Sequence, residues 1–257
     1  MRPSAKPAEV AQVLLSRLAP KHPVDVEAIA EALELRIGRV NFTGLVGAMV
    51  PGADWVGGLI NIDAKIRERG RQRFTIAHEI GHYMLLDKWA GPSVCSLMDV
   101  GTWSAGSSLE RAADIFAAEL LLPAEEVRGI VFEHGVTLKS AELIKSTFDV
   151  SLRAAAYRCV ELTKEESALV VTVNGVVNHY KPSASWRYLV CTKCAVGQGT
   201  MARKLFDNPV TLELCGMVLP KAWASEIKYI EQGDELWEES VYQRGHDTIL
   251  SFLTVLN

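Results

Sequence analysis

The sequence predicts an α+β protein, because helical and β-type patterns fall in separate regions of the 257-residue chain. In the first third, helical spacing of apolar residues flanks a few short β-type runs. The middle looks entirely helical, and the last third is rich in strands. A chain of this length can bury a core without disulfides or other staples. We therefore expect a helical domain with a small curved sheet, a helical segment and a β-rich domain, over residues 1–125, 126–164 and 165–257.

Composition narrows the class of protein. There are 27 lysine and arginine residues against 31 aspartate and glutamate residues, which gives a formal charge of −4. This charge excludes a protein that coats nucleic acid through a generally basic surface. No apolar run approaches the roughly 18 residues of a membrane helix, and the N-terminus lacks the continuous apolar core of a signal peptide. The five cysteines, an odd number, favour reduced thiols over a disulfide framework. We expect a soluble cytoplasmic protein without a membrane segment.

The first region begins with two helices that prolines separate. Short runs of β-type residues between Gly and Pro then predict a small curved sheet, at residues 35–42, 45–50 and 56–62. Helical spacing returns from residue 69 to residue 86. The Gly-, Ser- and Pro-rich stretch 91–108 predicts a long loop, and loops of that length are often functional. An Ala- and Leu-rich helix follows over Leu109–Leu122 and stops at Pro123.

The middle region has a helix-turn-helix-like pattern, with two helices joined near residues 148–151 and Ser151 as the second N-cap. A helix that reads DNA should offer several Arg, Lys, Asn or Gln side chains to the groove. Residues 152–156 are mostly small and apolar, and DNA binding would depend on Arg153 and Arg158. We therefore favour a packing module over DNA binding.

The β-rich region contains Asn174–Gly175, a dipeptide typical of hairpin turns. We expect a helix around Trp223–Ile230 and a final strand near Thr248–Val255. Cys191 and Cys194 have the spacing of half a structural zinc site. No second pair follows, so a strand that carries two thiols is the simpler interpretation, and metal binding by this pair stays open.

The chemistry is concentrated in the pentapeptide His78-Glu-Ile-Gly-His82. Two histidines four residues apart on a helix lie about 40° apart around its axis, so both imidazoles can reach one ion. Glu79 lies beside them and is placed to take a proton from a water on that ion. The motif therefore predicts a catalytic zinc site, which needs a third protein ligand and an open position.

Glu110 is the candidate third ligand, since it is the first acidic residue of the helix after the motif. Alanines in that helix allow the close approach that a carboxylate needs to reach the metal. Asp114 follows four residues later on the same face. It can accept a hydrogen bond from the outer ring nitrogen of a ligating histidine, most plausibly His78, and such a bond fixes the tautomer of that histidine.

Simpler interpretations exist for each of these residues. In the simpler interpretation, His78 and His82 are ordinary helix residues. Glu110 is then a carboxylate at the N-terminus of its helix that the helix dipole stabilises. Asp114 is then a solvated or intrahelical polar residue. The rivals for the third ligand lie late in the helix or beyond it, at Glu119, Glu125 and Glu126.

The motif and the following helix resemble the ImmA/IrrE family of zinc metallopeptidases, a branch of the HExxH-plus-Glu, gluzincin-like proteases. HEIGHYML is followed by ERAADIFAAELLLP, and the lead-in RQRFTIAHE also matches. The resemblance is specific over roughly residues 55–125. Many relatives have Glu-Ala-Asn at positions 112–114, where this chain has Ala-Ala-Asp and keeps a carboxylate.

This resemblance implies a zincin-like catalytic domain, a helix-turn-helix-like segment and a GAF-like C-terminal sensor module. It also implies a protein substrate, because relatives cleave or otherwise relieve helix-turn-helix repressors in mobile elements or stress responses. One alternative is a non-proteolytic regulator that binds a repressor or DNA, although a binding-only protein does not need Glu79. Another is a component of a toxin–antitoxin module. The oxyanion-stabilising residue stays unassigned, with His134, His179 and nearby tyrosines as candidates.

Overall fold

The computed structural model describes residues 6–18, 21–53, 56–85, 93–96, 108–226, 235–244 and 247–256. They form two compact units. The first holds the described residues up to Ala124 together with Ser146–Ser151, and the second holds Glu125–Lys145 and the residues from Leu152 onward. The predicted α+β class is confirmed. The three predicted regions divide the chain more finely than these units and stay a prediction. In the described ranges, no helix is both long and apolar enough to cross a membrane.

The first unit follows the predicted order of elements. Its helices and strands are α1 (Pro7–Leu18), α2 (Val26–Ala32), β1 (Leu35–Val40), β2 (Leu45–Pro51), β3 (Gly58–Asp63), α3 (Arg69–Leu85), β4 (Ser93–Ser96) and α4 (Ser108–Leu121). The three β-type runs correspond to β1, β2 and β3, so that prediction is confirmed. Helix α2 begins at Asp25, whose carboxylate accepts hydrogen bonds from the backbone N–H groups of Glu27 and Ala28.

The sheet of the first unit has the strand order β1-β3-β2-β4. Strands β1 and β3 are parallel, while β2 is antiparallel to both β3 and β4. Gly47 pairs with Ile62, and Met49 pairs with Ile60. The side chains of Met49, Ile60 and Ile62 are fully buried. Helix α3 packs on β2 and β3. The core of this unit therefore lies between the sheet and the helix that carries the motif.

Strand β4 corrects the prediction of a long loop at residues 91–108. Ser93–Ser96 pairs with β2, across an irregularity in register between Leu45 and Gly47. Its composition hides this strand, because Ser and Cys are weak β signals beside Gly and Pro. Pairing with a neighbouring strand decides the conformation there, and the rest of the stretch lies outside the described residues apart from Ser108.

The second unit combines helices with an antiparallel sheet. Its elements are α5 (Ala124–His134), α6 (Leu138–Phe148), α7 (Leu152–Leu162), β5 (Ser167–Val173), β6 (Val176–Pro182), β7 (Leu189–Val190), α8 (Met201–Asp207), β8 (Glu213–Val218), β9 (Ala224–Glu226), β10 (Glu235–Gln243) and β11 (Thr248–Leu256). Ala124, the first residue of α5, belongs to the first unit. The bounds agree with the predicted helical middle followed by strands. The compact units divide within α6, whose last three residues belong to the first.

The large sheet has the order β6-β5-β11-β10-β8. Asn174 and Gly175 join β5 to β6 with positive φ angles of 49° and 72°, which confirms the predicted hairpin turn. The predicted final strand is also confirmed as β11. Its Leu253 packs in a core with Trp223 and Leu205 of α8.

The helix predicted around Trp223–Ile230 is wrong in its described part. A single 3-10 turn at Pro220–Ala222 leads into strand β9, which pairs with β7. Trp223 is buried, and its indole Nε1–H donates to Oε2 of Glu238 at 2.9 Å. Strand pairing and this buried anchor outweigh the local helical pattern. Residues 227–234 lie outside the described residues.

The expectation of reduced thiols is also wrong for one pair, since Cys191 and Cys194 form a disulfide. Two other cysteines are free, Cys159 in the interior and Cys215 on the surface. An odd cysteine count says nothing about a pair brought together by a local turn, which is why composition pointed the other way.

Candidate metal centre

Helix α3 holds both motif histidines and Glu79 in the interior of the first unit. It packs against the sheet and against α4. The side chains of His78, Glu79 and His82 are completely buried. Buried imidazoles need polar partners, so these histidines are not ordinary helix residues on a half-exposed face.

Three ligand-type side chains converge between α3 and α4. The Nε2 atoms of His78 and His82 are 3.0 Å apart. Nε2 of His78 lies 3.2 Å from Oε2 of Glu110, and Nε2 of His82 lies 3.2 Å from its other oxygen, Oε1. In the described part of the chain, these side chains form the group of His, Cys, Asp or Glu whose ligand atoms all lie within 4.8 Å of one another. Tetrahedral zinc with bonds of roughly 2.0–2.1 Å holds its ligand atoms about 3.3 Å apart. The donor set and its spacing therefore fit a zinc ion.

Asp114 lies on the outer side of this cluster. The Nδ1–H of His78 donates to Oδ1 of Asp114 at 2.9 Å. Because Asp114 and Glu110 are four residues apart on α4, the two carboxylates reach opposite nitrogens of the same ring. The bond to Asp114 favours the tautomer in which Nε2 keeps its lone pair for a metal.

The electrostatics of the cluster favour a cation at its centre. Burial opposes a charge on His78, but the hydrogen bonds to Asp114 and Glu110 outweigh it and raise the pKa of His78 to about 9. Burial likewise opposes ionisation of Glu110, yet the hydrogen bonds from His78 and His82 lower the pKa of its carboxyl well below the usual range. Without a metal, a proton is therefore held where a metal cation would bind.

Gly47 is a site residue that the sequence did not reveal. This buried glycine of β2 faces α3, and a Cβ built on it would overlap Oε1 of Glu79 and lie 2.9 Å from Cγ2 of Thr75. The carboxylate of Glu79 therefore occupies the space where any other residue would carry its side chain. The available signal was a glycine inside a β-type run, which often marks a close approach, but nothing local indicates what approaches.

The rival glutamates have other positions and partners. Oε1 of Glu119 accepts hydrogen bonds from Nε2 of Gln12 and from the backbone N–H of Ala124. Glu125 and Glu126 are exposed in the first turn of α5. Glu110 is the carboxylate that the structure brings to both histidines.

Of the candidates for oxyanion stabilisation, His134 and His179 belong to the second unit. Tyr83 follows the motif directly, and its hydroxyl accepts a hydrogen bond from the backbone N–H of Gly57 at 3.2 Å. That bond ties Tyr83 to the turn before β3, and the oxyanion partner stays unassigned.

The two arginines of the helix-turn-helix-like segment are engaged inside the second unit. Arg158 donates to Oε2 of Glu161 at 2.9 Å, and Arg153 lies over the ring of Tyr157 and 3.3 Å from Nε2 of His179. Burial, together with the nearby Arg153, lowers the pKa of His179 to about 4. Helix α7 packs on β5 and β6. These contacts support the interpretation of this segment as a packing module.

In this α+β unit, two buried histidines of the HExxH helix meet a partly buried glutamate of the next helix, and zinc metallopeptidases hold their metal with ligands of these types. Residues 40–160 match the family model of the peptidase M78 group, described as the IrrE N-terminal-like domain. The matched range includes every residue of the cluster. This match agrees with the resemblance to the ImmA/IrrE family that the motif indicated.

Two known proteins illustrate the similarity. Over 109 residues the chain is 33% identical to the radiation response metalloprotease IrrE of Deinococcus deserti, an alignment that covers 41% of this chain and 37% of that protein. A Mycobacterium tuberculosis transcriptional regulator has a similar fold, with a TM-score of 0.57 over 96% of this chain and 74% of that chain. Its sequence identity is 12%, so this likeness concerns the fold.

Replacement of the clustered residues should remove zinc in a graded way. We expect His78→Ala and His82→Ala each to abolish tight binding, because each leaves too few ligands, and Glu110→Ala to weaken it. Asp114→Ala should lower the affinity about 10–100-fold, since it removes only the orienting hydrogen bond. Elemental analysis and chelator competition measure both effects.

Glu125→Gln is the matched control, because it removes a carboxylate at an exposed position in the next helix. Its zinc content should equal that of the wild type. Full zinc in the double variant His78→Ala/His82→Ala would show that the cluster does not bind the ion.

Zinc affinity should increase with pH up to about 9. The raised pKa of His78 means that the metal-free protein carries a proton there at neutral pH, and zinc must displace it. Below this pKa each binding event releases about one proton, so the Kd should fall about tenfold per pH unit and then level off. Calorimetry in two buffers of different ionisation enthalpy counts the released proton. A Kd that is constant from about pH 7 to pH 8.5 would contradict this assignment.

Proposed function

We propose that this chain is a cytoplasmic zinc-dependent endopeptidase that cleaves a helix-turn-helix transcriptional repressor and so relieves repression in mobile-element or stress-response regulation. The observation that carries the proposal is a division of roles on α3. His78 and His82 converge with Glu110. Glu79 is buried beside His78 and does not belong to that group of ligand-type side chains. A carboxylate in that position is what peptide hydrolysis needs as a base.

The residues divide the chemistry between them. His78, His82 and Glu110 would hold the ion, and Asp114 would fix the ring of His78. Zinc, when bound, supplies a Lewis acid that polarises the scissile carbonyl and makes a water more acidic. The carboxylate of Glu79 accepts the proton of the attacking water and passes it to the leaving amine. Burial of Glu79 keeps bulk water from competing for this proton.

The choice of substrate rests on family resemblance. The matched relative is named a radiation response metalloprotease, and the matched family is a peptidase family. Relatives act on repressors encoded beside them, which supports a protein substrate of that kind. The alternative is a non-proteolytic regulator that binds a repressor or DNA, or a member of a toxin–antitoxin module. Neither alternative requires a base at position 79.

The variant Glu79→Gln distinguishes an endopeptidase from a non-proteolytic regulator. It keeps the size of the side chain and removes its basicity, so zinc content and thermal stability should stay near those of the wild type. Cleavage of the repressor encoded next to the gene should fall by at least about 10²–10⁴-fold, the usual contribution of a positioned proton acceptor. Gel analysis of the repressor with purified protein measures the rate.

The same variant gives a cellular test. Repressed genes should stay off when Glu79→Gln replaces the wild type at equal protein level. If those genes are switched on while the repressor remains full length, this protein acts by binding and not by proteolysis.

Gly47→Ala should reduce cleavage without removing zinc. The added methyl group would collide with the carboxylate of Glu79 and displace it, whereas the three atoms nearest to that methyl group belong to Glu79 and Thr75 and not to a candidate ligand. A displacement of about 1 Å can cost a reaction about 10²-fold. Gly129→Ala is the matched control, since a Cβ there meets no atom within 4 Å. Wild-type cleavage by Gly47→Ala would show that Glu79 tolerates the shift.

A further inference from the structure

One pair of cysteines in the second unit lies outside the chemistry described so far. Cys191 and Cys194 form a disulfide, with their Cα atoms 5.8 Å apart and only two residues between them. Cys194 is exposed and Cys191 is half-buried. The free cysteines Cys159 and Cys215 do not share this arrangement. The disulfide is therefore open to reagents in solution, which sets it apart from a core crosslink.

The backbone around this disulfide is fixed by other contacts. Strand β7 ends just before Cys191 and pairs with β9, and Ala195, just after Cys194, forms an isolated bridge with Val176. Between these points the N–H of Cys191 donates to the carbonyl of Trp223 at 3.2 Å. The loop is thus anchored at both ends without the sulfur–sulfur bond.

Two more backbone hydrogen bonds hold the loop on the β5–β6 hairpin. The N–H of Lys193 donates to the carbonyl of Val177 at 2.7 Å, and the N–H of Val177 donates to the carbonyl of Cys194 at 2.9 Å. Val177 is itself buried in the core of this unit. Opening the disulfide would therefore leave both cysteines close together and ready to pair again.

A disulfide across so few residues contributes little to stability. Its stabilising effect depends on the chain entropy that it removes from the unfolded state, and this effect shrinks with the length of the closed loop. Exposed disulfides of this kind are the ones that exchange readily with other thiols.

We propose that Cys191 and Cys194 form a reversible redox site, which cytoplasmic dithiols reduce and disulfides of the same class reoxidise. A thiolate of the dithiol attacks Sγ of the exposed Cys194, the Cys191–Cys194 bond breaks, and Cys191 leaves as a thiolate. The second thiol of the reagent then displaces Cys194 and closes the reagent's own disulfide. The protein gains two electrons and two protons, and the dithiol loses the same number. This inference is independent of the proposed peptidase activity.

The test uses the full zinc-loaded chain, with dithiothreitol as the dithiol and oxidised glutathione as the oxidant. After each treatment the native protein is alkylated, and peptide mass spectrometry measures the modified fraction of each cysteine. We expect alkylation of Cys191 and Cys194 to increase together by about tenfold on reduction and to return to the starting value on reoxidation. Exposed Cys215 is the internal control and should be alkylated to the same extent in both states, once mixed glutathione adducts are counted.

Two structural controls accompany this measurement. Cys191→Ser should leave Cys194 without an intramolecular partner, so that its alkylated fraction is the same under both conditions once mixed glutathione adducts are counted. Reduction should shift the thermal midpoint by only a few degrees, since backbone contacts hold the loop.

Three outcomes would overturn the proposal. The first is that the pair stays fully alkylatable in oxidised glutathione, which would mean that no disulfide forms. The second is that dithiothreitol opens the bond only after denaturation, which would make it a structural crosslink. The third is that the reduced chain takes up a further zinc ion that Cys191→Ser abolishes, which would make the pair a metal site.

Discussion

The close approach of α3 and α4 is the constraint on which the candidate metal centre depends. Gly81 lies inside the motif, and a Cβ on it would come within 3.1 Å of Cδ1 of Phe116 and 3.2 Å of the backbone of Ala113. With a glycine and an alanine at the crossing, the helices come near enough for short carboxylates of α4 to contact the ring of His78. A larger residue at position 81 would push apart the two halves of the ligand set.

This arrangement has an electrostatic consequence for the fold. Two histidines and three carboxylates lie close together here, and all but Glu110 are buried. Each buried charge costs several kcal/mol unless a partner compensates it. The hydrogen bonds among His78, Asp114 and Glu110 offset part of that cost in the metal-free chain, by keeping a proton on His78. A divalent cation would do so more completely, because it would contact His78, His82 and Glu110 at once. Binding of such an ion would therefore stabilise the first unit.

Most helices and strands of the first unit, and the residues of the candidate metal centre, could be predicted from the sequence. The features that could not be predicted have physical causes. Periodicity located α3 and α4, and helical spacing put His78 with His82 and Glu110 with Asp114, because such patterns depend on a single element. Strand β4, the segment after Trp223 and the Cys191–Cys194 disulfide escaped prediction because tertiary pairing decides them.

Gly47 and Gly81 act on opposite sides of α3, and together they account for how three carboxylates have different roles in one small volume. On the α4 side, the missing side chain of Gly81 admits Glu110 and Asp114 to the two nitrogens of His78. On the sheet side, the missing side chain of Gly47 leaves room for the carboxylate of Glu79. Glu79 follows His78 directly on the same helix, so its carboxylate lies beside the group formed by His78, His82 and Glu110 without belonging to it. There it would be available as a base if that group holds a metal ion. The site therefore depends on the two glycines, which leave space for the carboxylates, as well as on the charged residues themselves.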